Sequence, residues 1–182
     1  MKSFKGQLLL DGGKLRGSFF DRTVVLICQH DGEGAFGLVL NKSSGSTMRE
    51  MIVADMPDLL KEHPLFLGGP VQPNALSYLH SDNFVPDANV IPNLSLGHSL
   101  DSLVEIGESF SATQQLRIFA GYAGWAPGQL EEEMKREAWV THPASLDWVF
   151  HGQPETLWKG ILLHKGWKYR LLAEAPEDPA MN

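Results

Sequence analysis

Two sets of residues in this chain have types and spacings that bear on chemistry. In the first, Cys28 and His30 lie two positions apart in "VVLICQHD". On a regular strand they would share one face, about 6 to 7 Å apart. A thiol beside an imidazole is the raw material of a cysteine nucleophile, although that reach is too long for a direct hydrogen bond without special rotamers. The run around Cys28 is apolar, which favours a small core residue over a reactive thiolate. The 7 histidines, His30, His63, His80, His98, His142, His151 and His164, show neither H-x-x-x-H nor H-x-H spacing, and no cysteine cluster accompanies them. Neither a metal site nor a cofactor follows from the pattern. His30 and His80 each end a strand-like run and are expected on one rim of the sheet.

The second set is "GYAGWAPGQLEEE", Gly121 to Glu133. Glycines before a helix can aim backbone N–H groups at a phosphate. The spacing here is neither G-x-x-x-x-G-K-[ST] nor G-x-G-x-x-G, and Glu131, Glu132 and Glu133 already fill the electrostatic role of an anion in the first helical turns. The run therefore reads as a strand-to-helix corner with Pro127 at the first helical position. Tyr122 and Trp125 either close the end of the sheet or form a wall of a pocket or interface. Gln129 has no structural duty visible in the sequence. Asn41, ending "GLVLN", is expected to satisfy loop backbone groups. Arg22 is expected on a solvated rim, paired with Asp21, Asp31 or a ligand carboxylate. Tyr122, Trp125, Gln129, His30, His80, Asn41 and Arg22 make up the candidate ligand or partner surface, with no catalytic residue assigned.

The elements that must position these residues are legible in outline. "RTVVLICQ" is apolar on both faces, as a strand covered on both sides requires. "HDGEG" turns it into "AFGLVLN", a hairpin. Thr47 and Glu50 have capping-box spacing ahead of a short helix in "TMREMIVADM". "HPLFLGGP" and "ALSYLH" read as strands joined through Gly68, Gly69 and Pro70, whose small size permits close strand approach. "PDANVIPN" reads as an irregular connection and "LSLG" as a short strand. Ser99 can cap a helix over "LDSLVEIGES". "QQLRIFAGY" leads into the glycine-rich corner, "GQLEEEMKRE" forms its helix, and "AWVTH" returns as a strand. "PASLDWVFHG" and "PETLWKGILLHKG" follow as helical segments, "WKYRLLAEA" docks as a helix, and the acidic tail, residues 176–182, frays. Hairpins with interposed helices predict an α+β domain with a largely antiparallel sheet.

Hydrophobic residues make up 43% of the 182-residue chain, and charged residues 20%, the composition of a folded single domain over residues 1–182. Lys plus Arg total 15 against 22 for Asp plus Glu, a formal charge of −7. Lys14, Arg16 and Arg22 are scattered along the sequence, so direct nucleic-acid binding is disfavoured. No run approaches the ~20 apolar residues of a membrane span, and a single cysteine suits a reducing compartment. The chain is expected to be cytoplasmic.

Three segments, "FDRTVVLICQHDGEGAFGLVLNK", "LFLGGPVQPNALSYLH" and "LRIFAGYAGWAPGQLEEEMKREAW", together resemble the YqgE/AlgH family of bacterial proteins. The resemblance extends from "GQLLL" to "WKGILL". It implies a compact, sandwich-like α/β fold whose bifurcated sheet curls into a pseudo-barrel with helices packed against it. It also implies a regulator of transcription without an established mechanism, and it supplies no catalytic residues. With no helix-turn-helix bearing basic recognition residues, the regulation is expected to be indirect, through an unidentified protein or small molecule. The alternative is an enzyme whose site lies where "HDGEG", "GGPV" and "GYAGW" converge, with His30, His80 and Gln129 as polar participants. In either case the chain is expected to be a monomer or a weak homodimer.

Overall fold

A computed structural model describes residues 2–52, 55–81, 88–109, 111 and 114–176. The strands are β1 (Gln7–Asp11), β2 (Val24–Asp31), β3 (Gly34–Val39), β4 (Ser43–Thr47), β5 (Pro64–Leu67), β6 (Val71–Ser81), β7 (Ser95–Gly97), β8 (Gln115–Trp125) and β9 (Trp139–Pro143). The α-helices are α1 (Met48–Met51), α2 (Asp58–Lys61), α3 (Leu100–Ser109), α4 (Gln129–Lys135), α5 (Pro154–Lys165) and α6 (Arg170–Glu174). A π-helical turn, Asp147–His151, precedes α5, and a 3₁₀ turn, Trp167–Tyr169, links α5 to α6. Among the described residues no helix is long and apolar enough to cross a membrane. The expected tail beyond Pro176, and the start of the "PDANVIPN" connection, lie outside the described residues.

The strands form one branched sheet, ordered β4-β5-β8-β3-β2-β1-β9, with β6 and β7 leaving it at β8. All ladders are antiparallel except β5 with β8. Leu116 to Ala120 pair with β6, and Ile118 to Ala120 also pair with β5 on the opposite edge. Beyond Gly121, Tyr122 still meets β6 at Val71, and Ala123 to Trp125 pair with β3. The mixed α+β class and the largely antiparallel sheet expected from the sequence are present. Closure is not: β4 and β9 each have one neighbour, so the sheet does not close into a barrel. At one end β4 is irregular, with a register break and Gly45 at φ +75°. At the other, Lys165 Nζ donates to the Thr141 carbonyl on the outer edge of β9, 2.7 Å away.

The branch point is made by glycine. Gly121 has φ +71°, a conformation that L side chains rarely adopt. Gly69 lies so close to this bend that a Cβ on it would meet the Tyr122 carbonyl carbon at 2.0 Å. A Cβ on Gly68 would meet the Gly121 oxygen at 2.3 Å. The close approach expected of "GGPV" is thus a backbone-to-backbone contact.

As "RTVVLICQ" suggested, β2 is covered on both sides. Val24, Leu26 and Cys28 join Leu8, Leu38 and Phe119 in a core capped by α5. Val25 and Ile27 join Leu9, Trp125, Leu130 and Trp139 in a second core, beneath α4. A third core, with Met48, Leu60, Leu65, Leu103 and Ile118, packs α1 to α3 on the β5–β6 branch. Each fully buried aliphatic side chain stabilises the fold by about 1.5–3 kcal/mol.

Ser99 caps α3 as its spacing predicted, its Oγ accepting from the Ser102 N–H. Thr47 makes no side-chain cap, and α1 is a single turn. Pro127 lies in a turn, and α4 begins at Gln129 after Gly128, which takes a left-handed conformation with φ +77°. The N-terminal "QLLL" and "SSGST" form β1 and β4, strands that the sequence did not indicate.

Gly69→Ala is expected to destabilise the fold by roughly 3 kcal/mol or more, because both colliding groups are backbone. Gly160→Ala, on α5 with nothing within 4 Å of the new Cβ, is expected to stabilise it by about 0.5–1 kcal/mol. Urea midpoints of the two variants test this directly.

Candidate functional site

The glycine-rich corner is a closed structural unit. Tyr122 and Trp125 point to opposite faces of β8. Tyr122 stacks on Phe36 at 4.9 Å beside the α5-capped core, and Trp125 is buried in the core beneath α4. They cannot form one wall of a pocket. The Trp125 and Trp139 indole N–H groups both donate to Glu133 Oε2, at 2.9 and 2.8 Å. Gln129 has a structural duty after all: its amide donates to Glu133 Oε1 at 3.0 Å and its oxygen accepts from the Ala126 N–H at 3.0 Å. Of the three glutamates, Glu132 alone is exposed, pairing with the exposed Lys135.

Glu131 accepts from His30. The Phe4 N–H donates to His30 Nδ1 at 2.9 Å, so the ring proton sits on Nε2, 3.1 Å from Glu131 Oε1. Phe4 also stacks on the imidazole at 5.5 Å. His30 therefore ties the N-terminal segment to α4, with both ring nitrogens engaged.

The expected Cys28–His30 alignment fails for a specific reason. The β2–β3 register shifts between Ile27 and Gln29, which makes Cys28 the extra residue of a β-bulge. Cys28 stays on the α5 side, and His30, opposite Ala35, turns to the α4 side. Burial pushes the Cys28 thiol well up.

His80 does not share a rim with His30. It pairs with Leu116 at one end of β8, whereas His30 reaches β8 through Ala35 at Trp125, nine positions on. Nine strand positions span up to about 30 Å. The three glycine-rich segments do converge on β8, but Gly34 meets the Trp125 oxygen, and Gly68 and Gly69 meet Gly121 and Tyr122, at distances that leave no room for a side-chain atom.

Asn41 behaves as expected, accepting from the Val24 N–H and donating to the Arg22 carbonyl. Arg22, at φ +52°, lies over the Trp158 ring at 5.2 Å and donates to the Ala175 carbonyl. Its backbone N–H donates to the buried Asp11 carboxylate, which also accepts from the Gly13 and Leu15 N–H groups. Asp11 holds this loop together, and "DGG" is the turn signal that could have revealed it. Arg117 also escaped the sequence reading. It is buried against the Phe66 ring at 4.4 Å, donates to the Leu40 carbonyl, and burial lowers it to about 10.

Open space lies elsewhere, around α5 and α6. A cavity of about 420 Å³ is lined by Lys14, Trp139, Thr141, Lys165, Lys168 and Tyr169, among others. Another, of about 410 Å³, is lined by Arg22, Asn41, Lys42, Trp158 and Lys159. A constriction containing Arg16, Arg22, Trp158 and Leu172 adjoins both. Along these three regions stand seven of the chain's 15 Lys and Arg residues, against Asp11, Asp21, Glu137 and Glu155. The cations that looked scattered in sequence are thus gathered into one cleft. Arg22 and Asn41 lie at its end; Tyr122, Trp125, Gln129, His30 and His80 do not line these three regions. A third cavity, of about 400 Å³, lies beside the π-helical turn at Trp148, His151 and His164.

Solved structures share this overall fold. The AlgH protein from Pseudomonas aeruginosa superposes with a TM-score of 0.76 at 28% identity, covering 97% of this chain and 98% of that one. A Corynebacterium diphtheriae protein gives the same TM-score at 22% identity, covering 96% and 94%, a likeness of fold. Sequence relationship is more specific. The AlgH-like (DUF179) family matches residues 8–170. A UPF0301 protein of Chlorobium luteolum is 35% identical over 180 residues, 97% of this chain and 94% of the relative. One from Chlamydia felis is 37% identical over 180 residues, 98% and 95%. The chain belongs to the AlgH-like family of UPF0301 proteins.

Glu133→Ala is expected to destabilise the protein by about 2–4 kcal/mol, because it strands two buried indole N–H groups. Glu133→Gln, which keeps one acceptor oxygen, should lose less. Urea unfolding followed by tryptophan fluorescence reads both.

Acid sensitivity is a second expectation. Burial lowers His63 and His142, the latter helped by Lys165 and His164. The unfolded chain takes up protons near 6.5 while the folded chain resists until lower pH, so stability should be flat above that value and fall as pH drops through it. Replacing both residues with glutamine should flatten that part of the profile, measured by urea midpoints between pH 8 and pH 5.

Proposed function

We propose that this protein is a cytoplasmic regulatory protein that works by binding an anionic protein segment or small molecule in the α5–α6 cleft, and that any effect on transcription is indirect. The observation that carries this reading is the gathering of seven cationic side chains around two ligand-sized cavities on a chain of net charge −7. Cavities of about 300–1,000 Å³ are the usual size of small-molecule sites. A local cationic surface within an acidic field selects anions by position and repels extended polyanions elsewhere. Support also comes from what the family segments do: the residues of the glycine-rich corner are spent on internal hydrogen bonds. The regulatory sense is what the family resemblance read in the sequence implies.

Direct DNA recognition is disfavoured on the same grounds. Four carboxylates interleave with the cations of the cleft, and α3 carries no Lys or Arg at all. Duplex recognition instead needs a basic element seated in a groove.

A thermal-shift screen of anionic metabolites and acidic peptides is expected to give at least one stabilising ligand. Combined Lys42→Glu, Lys159→Glu and Lys168→Glu substitutions should abolish the shift, whereas Tyr122→Phe should retain it. A shift untouched by the charge reversals, or no shift from any anion, would overturn the reading, as would tight retention of mixed duplex DNA in low-salt filter binding.

A further inference from the structure

One side of the cleft is the outer edge of β9. In its ladder with β1, the Gly12 N–H donates to the Ala138 carbonyl and the Ala144 N–H to the Gly6 carbonyl. Antiparallel pairing alternates, so Val140 and His142 direct their backbone groups at β1, while Trp139, Thr141 and Pro143 direct theirs outward. Lys165 takes the outward carbonyl of Thr141, which agrees with this phase. Among the described residues no group pairs with the Trp139 or Thr141 N–H. Pro143 has no N–H to offer, so the open edge runs for about three residues, or roughly 10 Å.

The chemistry around this short edge is unusual. Lys14, Lys165 and Lys168 line the cavity beside it, with Glu137 as the one carboxylate among its lining residues. Tyr169 and Leu172 give it an apolar wall. Just beyond, the α5–α6 segment exposes Leu163, Trp167 and Leu171, the latter two at 81% and 84%. Lysine on a strand edge ordinarily blocks pairing. Here Lys165 spends one of its three donors on the Thr141 carbonyl, leaving two for an incoming carboxylate.

We propose that this edge is a β-addition site for an acidic, extended segment of a partner protein, which accepts from the Trp139 and Thr141 N–H groups, donates a backbone N–H to the outward Trp139 carbonyl, and sets carboxylates against Lys165 and Lys168. The assignment rests on the anion-binding reading of the cleft and names its occupant. Backbone pairing supplies affinity and the lysines supply selection, the division of labour general to strand addition. A second copy of this chain is the wrong occupant, because pairing β9 with β9 brings the two sets of lysines together.

The probe is a capped eight-residue peptide alternating glutamate and valine, titrated calorimetrically into the full chain, with amide hydrogen exchange on the complex. Binding is expected with new protection at the Trp139 and Thr141 amides, and a lysine–valine peptide should not bind. Lys168→Glu, at an exposed residue whose side chain makes no hydrogen bond or ion pair among the described residues, should weaken binding about tenfold or more. Methylating alternate backbone nitrogens of the peptide should weaken it at least as much. Absence of binding overturns the proposal, as does binding that ignores N-methylation or leaves both amides unprotected. So does protection that rises with protein concentration alone, which marks self-association. If free glutamate or citrate binds as well as the peptide, strand addition fails while the anion-binding reading stands.

Discussion

The contact between Gly69 and the Tyr122–Ala123 peptide is the constraint on which the rest of the sheet depends. At this point one strand changes partners: β5 and β6 flank the first half of β8, and β3 takes up the second. A side chain at Gly68 or Gly69 would force the chains apart, since the nearest atoms are backbone atoms 2.0 to 2.3 Å from where a Cβ would sit. Because the branch holds, the β1-β2-β3 half can be covered on both faces by different helices. The β5–β6 half can likewise bury α1 to α3 on its own core.

Downstream of the branch, a single carboxylate organises the corner. Glu133 collects two indole N–H groups and an amide, and through Trp139 it fixes where β9 starts. Glu131 reaches the other way, to His30 and the N-terminal segment. Of the segments that carry the family resemblance, the glycine-rich corner is the one that locks α4 onto the sheet. The surface with unspent polar capacity belongs to different elements: the loop after β1, the edge of β9, and α5 with α6. Its cations come from positions 14 to 168, and one of them, Arg22, is held in place by Asp11 and Trp158.

What the sequence disclosed and what it hid follow one physical division. Local patterns were legible: the two-faced apolar run of β2, the β2–β3 hairpin, the Ser99 cap, the glycine approach and the backbone role of Asn41. Features set by long-range pairing were not. Strand β1 is short, with leucine at three of its five positions, and "SSGST" lacks the apolar alternation of a strand, so only their partners make them strands. The bulge at Cys28 reverses the facing of His30 without any local marker, because β2 and β3 differ by one residue between fixed ends. Gln129 and Glu133 find their roles only once Trp139 arrives from the next strand. The cleft was invisible because its lysines and arginines come from two distant stretches, 14–42 and 159–168, that meet only through α5.

The bulge has a further use. Cys28 is the chain's single cysteine, it is fully buried, and burial suppresses its thiolate. It sits where the register of two central strands is settled, so a reagent can reach it only when those strands part. Its rate of alkylation is therefore a clock for the opening of the sheet's centre, built into the native sequence and silent to fraying at the edges.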